Sequence, residues 1–274
     1  MLTLLQYPFM QQAVLAALLI GIGLSIAGVL VMLLDVPFLG ITMSHAAFFG
    51  AVAGLVFGFP PVWGAAAACV AAAGLTGPLA SRTGGSANAA LSIIFSALIG
   101  GAFLLMHTLP GPRSEALGLI WGSLLTVSRQ DLAILAVLTA LVIVTVTACY
   151  RWIVAVLYDR TVARTCGVPA AALYAALILL AGLVVSAALP AVGGILIFGL
   201  LVNPASAARQ LTRRLDRLFI LSALFGVLSC WGGLWLSVWL DVPAGPVIVL
   251  ASCTIFAVAC LLGHVTLKRS ASSV

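Results

Sequence analysis

The sequence predicts an all-α polytopic membrane protein: about nine transmembrane helices in one bundle, with the N-terminus outside and the C-terminus cytoplasmic. Three observations carry that prediction. Of 274 residues, 64% are hydrophobic and only 7% are charged, where soluble domains carry roughly 25% charged residues. Mean hydropathy is +1.30, and a soluble chain this apolar could not cover its own surface. The apolar residues also come in runs of ~17–25, long enough to cross a bilayer, with turn signals between them. Finally, the basic residues are distributed unevenly over the loops, and this sets the orientation.

In order, the predicted spans are 11–34, 37–58, 61–80, 88–109, 130–150, 170–188, 190–208, 218–240 and 246–265. All 274 residues form a single transmembrane domain. The first run has no preceding Lys or Arg and is long enough to stay as a span, so no cleavable signal peptide is expected. Breaks fall at 35–37, 59–61, 81–86, 110–129, 151–169, 189–190, 209–217 and 241–245. The 110–129 loop opens on Leu-Pro-Gly-Pro and continues as an amphipathic piece with Trp121 at interface depth. Ser128-Arg-Gln-Asp131 reads as a capping-box start for the next span. The 151–169 loop holds a short surface helix with a Gly167-Val-Pro169 exit.

Nine spans with a cytoplasmic C-terminus place Arg82, Arg151, Arg160, Arg164, Arg209, Arg213, Arg214, Arg217, Lys268 and Arg269 inside, and only Arg113 and Arg129 outside. That asymmetry supports an odd number of spans. It also accounts for the net charge of +6 without a nucleic-acid partner. The six cysteines form no CxxC pair and mostly sit in apolar runs as small hydrophobes.

The second span, PFLGITMSHAAFFGAVAGLVFG, carries His45 with no charged residue anywhere from 36 to 81. Ten residues beyond Asp35, at 1.5 Å each, it lies about 15 Å deep, near the middle of a ~30 Å core. A titratable group there marks a functional site by default. Two readings stand: a neutral imidazole hydrogen-bonded to another span, or a transient metal ligand. A lone nitrogen holds a metal weakly, and weak binding lets a conducting path release its ion. Gly50, Gly54 and Gly58 line one face of this helix, and His45 lies on the opposite face with Ile41 and Phe49.

Four ordered segments resemble the membrane permeases of zinc/manganese-type metal ABC importers. They are FLGITMSHAA at 38–47, YDRTVARTCGV at 158–168, GGILIFGLLVNPASAAR at 193–209 and DVPAGPVIVL at 241–250. The resemblance covers nearly the whole chain. It implies a homodimeric, multi-pass permease of a prokaryotic inner membrane, working with a cytoplasmic ABC ATPase dimer and an extracytoplasmic metal-binding protein. Where that family carries an aspartate four residues before the histidine, this chain has Ile41. Its acidic entry to the fourth span is here Ala87-Asn88-Ala89-Ala90. Loss of oxygen ligands points to zinc as the transported metal, with manganese or iron as alternatives.

Thr42, Met43, Ser44, Asn88 and Asn203 are candidate helpers on the metal path, although side chains of these types in a bundle more often serve interhelical packing or hydrogen bonding. His107, near the outer mouth, either hands metal inward or sits idle at the interface. His264 is expected as a cation at a helix C-terminus. The resemblance places ATPase coupling at Arg209, Arg213, Arg214 and Arg217, together with Asp159 and Arg164. Arg113 and Arg129 are candidates for docking the binding protein. The chain has no GxxxxGK[ST] loop, so ATP hydrolysis belongs to a partner. A proton-coupled carrier and a non-transporting assembly protein are the competing classes. The first would show intramembrane acids, and none is seen well inside a span.

Overall fold

The computed structural model describes residues 6–109, 114–158 and 160–271, and these are helical with no strand among them. The helices are α1 (Pro8–Leu33), α2 (Phe38–Phe57), α3 (Pro61–Arg82), α4 (Ala87–Thr108), α5 (Ser114–Trp121), α6 (Arg129–Ala148), α7 (Tyr150–Tyr158), α8 (Arg160–Thr165), α9 (Ala170–Val192), α10 (Gly194–Leu211), α11 (Leu215–Leu240) and α12 (Ala244–Ala271). Only helices satisfy every backbone group within one apolar segment, so this composition leaves no other choice. Their ends follow local chemistry. Pro8 and Pro61 open α1 and α3 at positions whose N–H has no helical partner anyway. Ser86 Oγ accepts from Ala89 N at 3.2 Å to cap α4. The expected capping box starts α6: Asp131 N donates to Ser128 Oγ and Ser128 N to Asp131 Oδ2, each at 3.1 Å.

Among the described residues, eight helices are long and apolar enough to span a membrane: α1, α2, α3, α4, α6, α9, α11 and the 244–263 part of α12. The remaining predicted span, 190–208, is helix α10. It is 18 residues long and carries Asn203, Pro204 and Arg209. It tolerates them because it packs against α1, α2, α11 and α12 rather than against lipid. The expected break at Pro190 is displaced: α9 runs on through Pro190 to Val192, and the chain turns at Gly193, whose φ of +88° suits glycine.

Interhelix contacts fix the direction of each pass. Helices α1 and α11 are antiparallel, since Trp231 Nε1 meets Val14 O while Ser222 Oγ meets Ser25 O. In contrast, α10 and α12 are parallel, through Gly199 against Val249, Asn203 against Ser252 and Gly263 against Gln210. Passes therefore alternate, and the chain reverses sharply between α9 and α10. Arg82, Arg151, Arg164 and the 209–217 arginines gather at one end of the bundle, and Arg129 lies at the other beside Pro8. Helices α1, α2 and α9 are the most buried, while α3, α4, α6 and the 244–263 part of α12 present mostly outward surface.

The glycine face of α2 packs as its spacing implies. Gly50 lies directly on the Gly64 backbone of α3, and a Cβ at Gly54 would meet Phe59 O and Pro61 Cα at 3.0 Å. Gly58 departs from the stripe and instead caps α2 with a left-handed φ of +77°. A Gly50→Val substitution is accordingly expected to cost at least about 1–3 kcal/mol through overpacking. Gly100→Ala, whose Cβ would meet nothing within 4 Å, should be neutral. Melting temperatures of the two variants in detergent check the contrast, and equal melting would refute the close α2–α3 approach.

Candidate metal path

With its glycines against α3, helix α2 turns His45 toward α4. The imidazole Nδ1 lies 2.9 Å from the Ile41 carbonyl oxygen one turn back. Ser44 Oγ donates to the same oxygen at 2.9 Å and stands 3.4 Å from Nδ1. A carbonyl only accepts, so the neutral ring must carry its proton on Nδ1. Nε2 is then a bare lone pair, the form in which imidazole binds a metal. Phe95 of α4 stands edge-on to the ring, centroids 4.8 Å apart and planes at 80°.

His45 is half-buried and borders a cavity of about 150 Å³ lined by Ser44, Phe48, Ile99, Phe103, Ile120 and Gly194. Four elements meet there: α2, α4, α5 and the start of α10. The 110–129 loop is thus not the surface piece that its amphipathic pattern predicts. Helix α5 packs against α2, α9 and α10, and Gly122, with φ +63°, presses its backbone onto that of Val192 and Gly193. Ser123 N donates to Pro190 O at 3.1 Å. The outward-facing indole of Trp121 is the part of the expectation that holds, at 61% exposed. Among the described residues the cavity walls are otherwise apolar, so a charge inside interacts strongly with whatever dipoles it meets.

Of the candidate helpers, only Ser44 shares the cavity with His45. Thr42 lies on the α4 side, 3.0 Å from Phe38 O and 3.3 Å from Leu91 O. Met43 packs toward Gly182 of α9, and its carbonyl accepts from Cys69 Sγ at 3.4 Å. Asn88 donates to Asp35 O at 3.3 Å, tying the start of α4 to the α1–α2 turn. Asn203 donates to Ser252 Oγ at 2.9 Å and to Cys253 Sγ at 3.2 Å, joining α10 to α12. His107 is exposed in the last turn of α4 and does not border the cavity. Arg209, Arg213, Arg214 and Arg217 are all exposed. Arg214 pairs with Asp216 at 3.0 Å. Arg164 is exposed on α8 and Arg129 at the opposite end, while Arg113, Asp159 and the side chain of His264 lie outside the described residues. Among the described residues, no three His, Cys, Asp or Glu side chains come together as a metal-holding group.

Sequence reading missed Phe48, Phe95, Ile99, Phe103, Ile120 and Gly194. Residues 95, 99 and 103 recur every four positions, a helical face that could have been paired with His45 had the α2–α4 contact been foreseen. Nothing in the sequence signals Ile120, because its placement depends on the backbone junction at Gly193. Histidine ¹⁵N spectra of the protein in bilayers are expected to show His45 with a protonated Nδ1 and an unprotonated Nε2. The reverse tautomer would dissolve this geometry.

Comparison with known proteins agrees with the architecture. A family model described as the ABC 3 transport family matches residues 6–263. The manganese transport system membrane protein MntC of Halalkalibacterium halodurans is 32% identical over 256 residues, covering 93% of this chain and 88% of that protein. The chelated iron transport system membrane protein YfeD of Yersinia pestis is 27% identical over 259 residues, covering 94% and 87%. The solved structure of PsaBC from Streptococcus pneumoniae in complex with Fab shares the fold, with a TM-score of 0.83 at 24% identity, covering 93% of this chain and 92% of that one. Eight membrane-length apolar helices among the described residues and a family match over residues 6–263 converge: the chain belongs to the ABC 3 transport family and is a membrane permease subunit, not an enzyme.

Proposed function

We propose that this permease imports zinc, passing it along the cavity bordered by His45. The observation that carries this reading is the 2.9 Å approach of His45 Nδ1 to Ile41 O, which leaves Nε2 bare in the neutral ring, in a cavity whose described lining side chains include no carboxylate. Nitrogen-only ligation suits zinc better than manganese, which favours oxygen ligands. One nitrogen and one hydroxyl are weak coordination, so water or a second copy of the permease completes the shell, and the metal can leave. The names of the relatives favour a second reading, manganese or iron as cargo.

The chain is a multi-pass protein of the bacterial cell membrane. By the positive-inside rule, the arginine-rich end faces the cytoplasm, which puts the start of α1 outside. In this reading two copies form the pathway, an ABC ATPase dimer docks at the 209–217 arginines, and an extracytoplasmic metal-binding protein approaches the end that carries Arg129. Arg214 is already paired with Asp216, which leaves Arg209, Arg213 and Arg217 for docking. Charges of this kind set encounter rate and salt dependence more than final affinity.

Metal uptake by the permease reconstituted with its partners tests the cargo. His45→Ala should lower zinc uptake by about tenfold or more, the range over which weakened ligation costs metal binding. Unchanged uptake would remove His45 from the path. Ile41→Asp should add manganese transport by restoring an oxygen ligand one turn away, and an unaltered metal profile would count against the role given to Ile41. The double variant Arg213→Glu, Arg217→Glu should weaken ATPase association and flatten its salt dependence. Undisturbed association would move docking elsewhere.

A further inference from the structure

At the arginine-rich end, a groove of about 290 Å³ runs between α3 and α9. Its walls are small: Gly74, Gly77 and Pro78 on one side, and Ala170, Ala171 and Ala175 on the other. A Cβ at Gly74 or at Gly77 would meet nothing within 4 Å, so the groove is open along its length. It lies on the outward faces of two spans, with Gly74, Gly77, Pro78, Ala171 and Ala175 exposed. Tyr174 and Ile178 are the bulky apolar side chains of its lining, and the small residues between them leave a slot suited to an unbranched chain.

One end of the groove is charged. Arg164, in the last turn of α8, and Tyr174 border it. The backbone bonds Gly167 N to Arg164 O and Val168 N to Ala163 O, both 3.0 Å, fold the chain back from α8 to the start of α9. This places the guanidinium at the end of a span, at headgroup depth. Among the described residues Arg164 has no carboxylate partner, the one ion pair there being Arg214 with Asp216. Nearby on the same end, α7 carries exposed Arg151 and Trp152, a basic residue beside an interfacial aromatic.

We propose that this groove is a binding site for an anionic phospholipid, with its phosphate on Arg164 and one acyl chain lying between α3 and α9. An apolar slot alone takes any lipid. The guanidinium at its mouth, able to grip phosphate oxygens with two parallel N–H groups, makes the site selective for a negatively charged head. Arg164, which the resemblance groups with the coupling residues, thus also serves the lipid boundary, on a helix apart from the 209–217 arginines assigned to ATPase docking.

Native mass spectrometry of the purified full-length protein, titrated with phosphatidylglycerol or phosphatidylcholine of the same acyl chains, tests the site. The wild type should retain about one phosphatidylglycerol per chain, with a preference over phosphatidylcholine of about fivefold for one arginine. Arg164→Gln should abolish the preference, and Arg164→Lys should keep most of it. Gly77→Leu, which extends into the slot from a position whose Cβ meets nothing within 4 Å, should remove retention of both lipids while leaving the melting temperature in lipid-free detergent unchanged. Equal retention of the two lipids by wild type, an intact preference in Arg164→Gln, or unchanged retention in Gly77→Leu would each overturn the proposal.

Discussion

The reversal at Gly193 is the constraint on which the site depends. A bundle of apolar helices would ordinarily seal its centre, because helices that run the full thickness pack without gaps. Here the turn from α9 to α10 is itself buried, at a residue whose φ of +88° favours glycine. The Gly122 backbone seats directly against it, and two left-handed glycines in contact bring α5 inward. Ile120 and Gly194 then face Ser44 and His45 across one cavity. A Cβ at either glycine would push these segments apart and remove the walls along with them.

Within that cavity the chemistry rests on one hydrogen bond. A histidine in hydrocarbon is tolerated when it stays neutral and its N–H is satisfied. The Ile41 carbonyl satisfies it at 2.9 Å without drawing on another helix. The bond has a second effect, since it fixes which nitrogen is bare. Ile41 thus contributes through its backbone, while the carboxylate that a side chain at this position could have offered is missing. An imidazole with one hydroxyl and no described carboxylate beside it is a weak site. Such a site suits a path that must bind and then let go.

Much of the fold was legible because hydrocarbon imposes it. Long apolar runs, the Ser128–Asp131 box and the Gly50–Gly54 face each state their structure locally, and each is found where its pattern places it. His45 was legible as a polar exception opposite a packing face. What could not be read is which neighbour each remaining face meets. Thr42, Met43 and Ser44 are consecutive, yet they point toward α4, α9 and the cavity respectively. A helical wheel gives those directions and leaves the identity of the neighbour unspecified. The 110–129 loop misled for a related reason: its amphipathic pattern fits a bilayer surface as well as it fits a bundle interior. Pro190 misled by convention, since proline in a final helical turn breaks little when a glycine follows that can make the turn.

The central claim is that His45 meets the metal in transit and that its chemistry selects the cargo. The most direct measurement is ATP hydrolysis by the assembled complex, with its loaded binding protein, across zinc, manganese and iron. Stimulation strongest with zinc, and lost in His45→Ala while ATPase assembly persists, is the predicted result. Stimulation strongest with manganese or iron, or indifferent to His45→Ala, would contradict it.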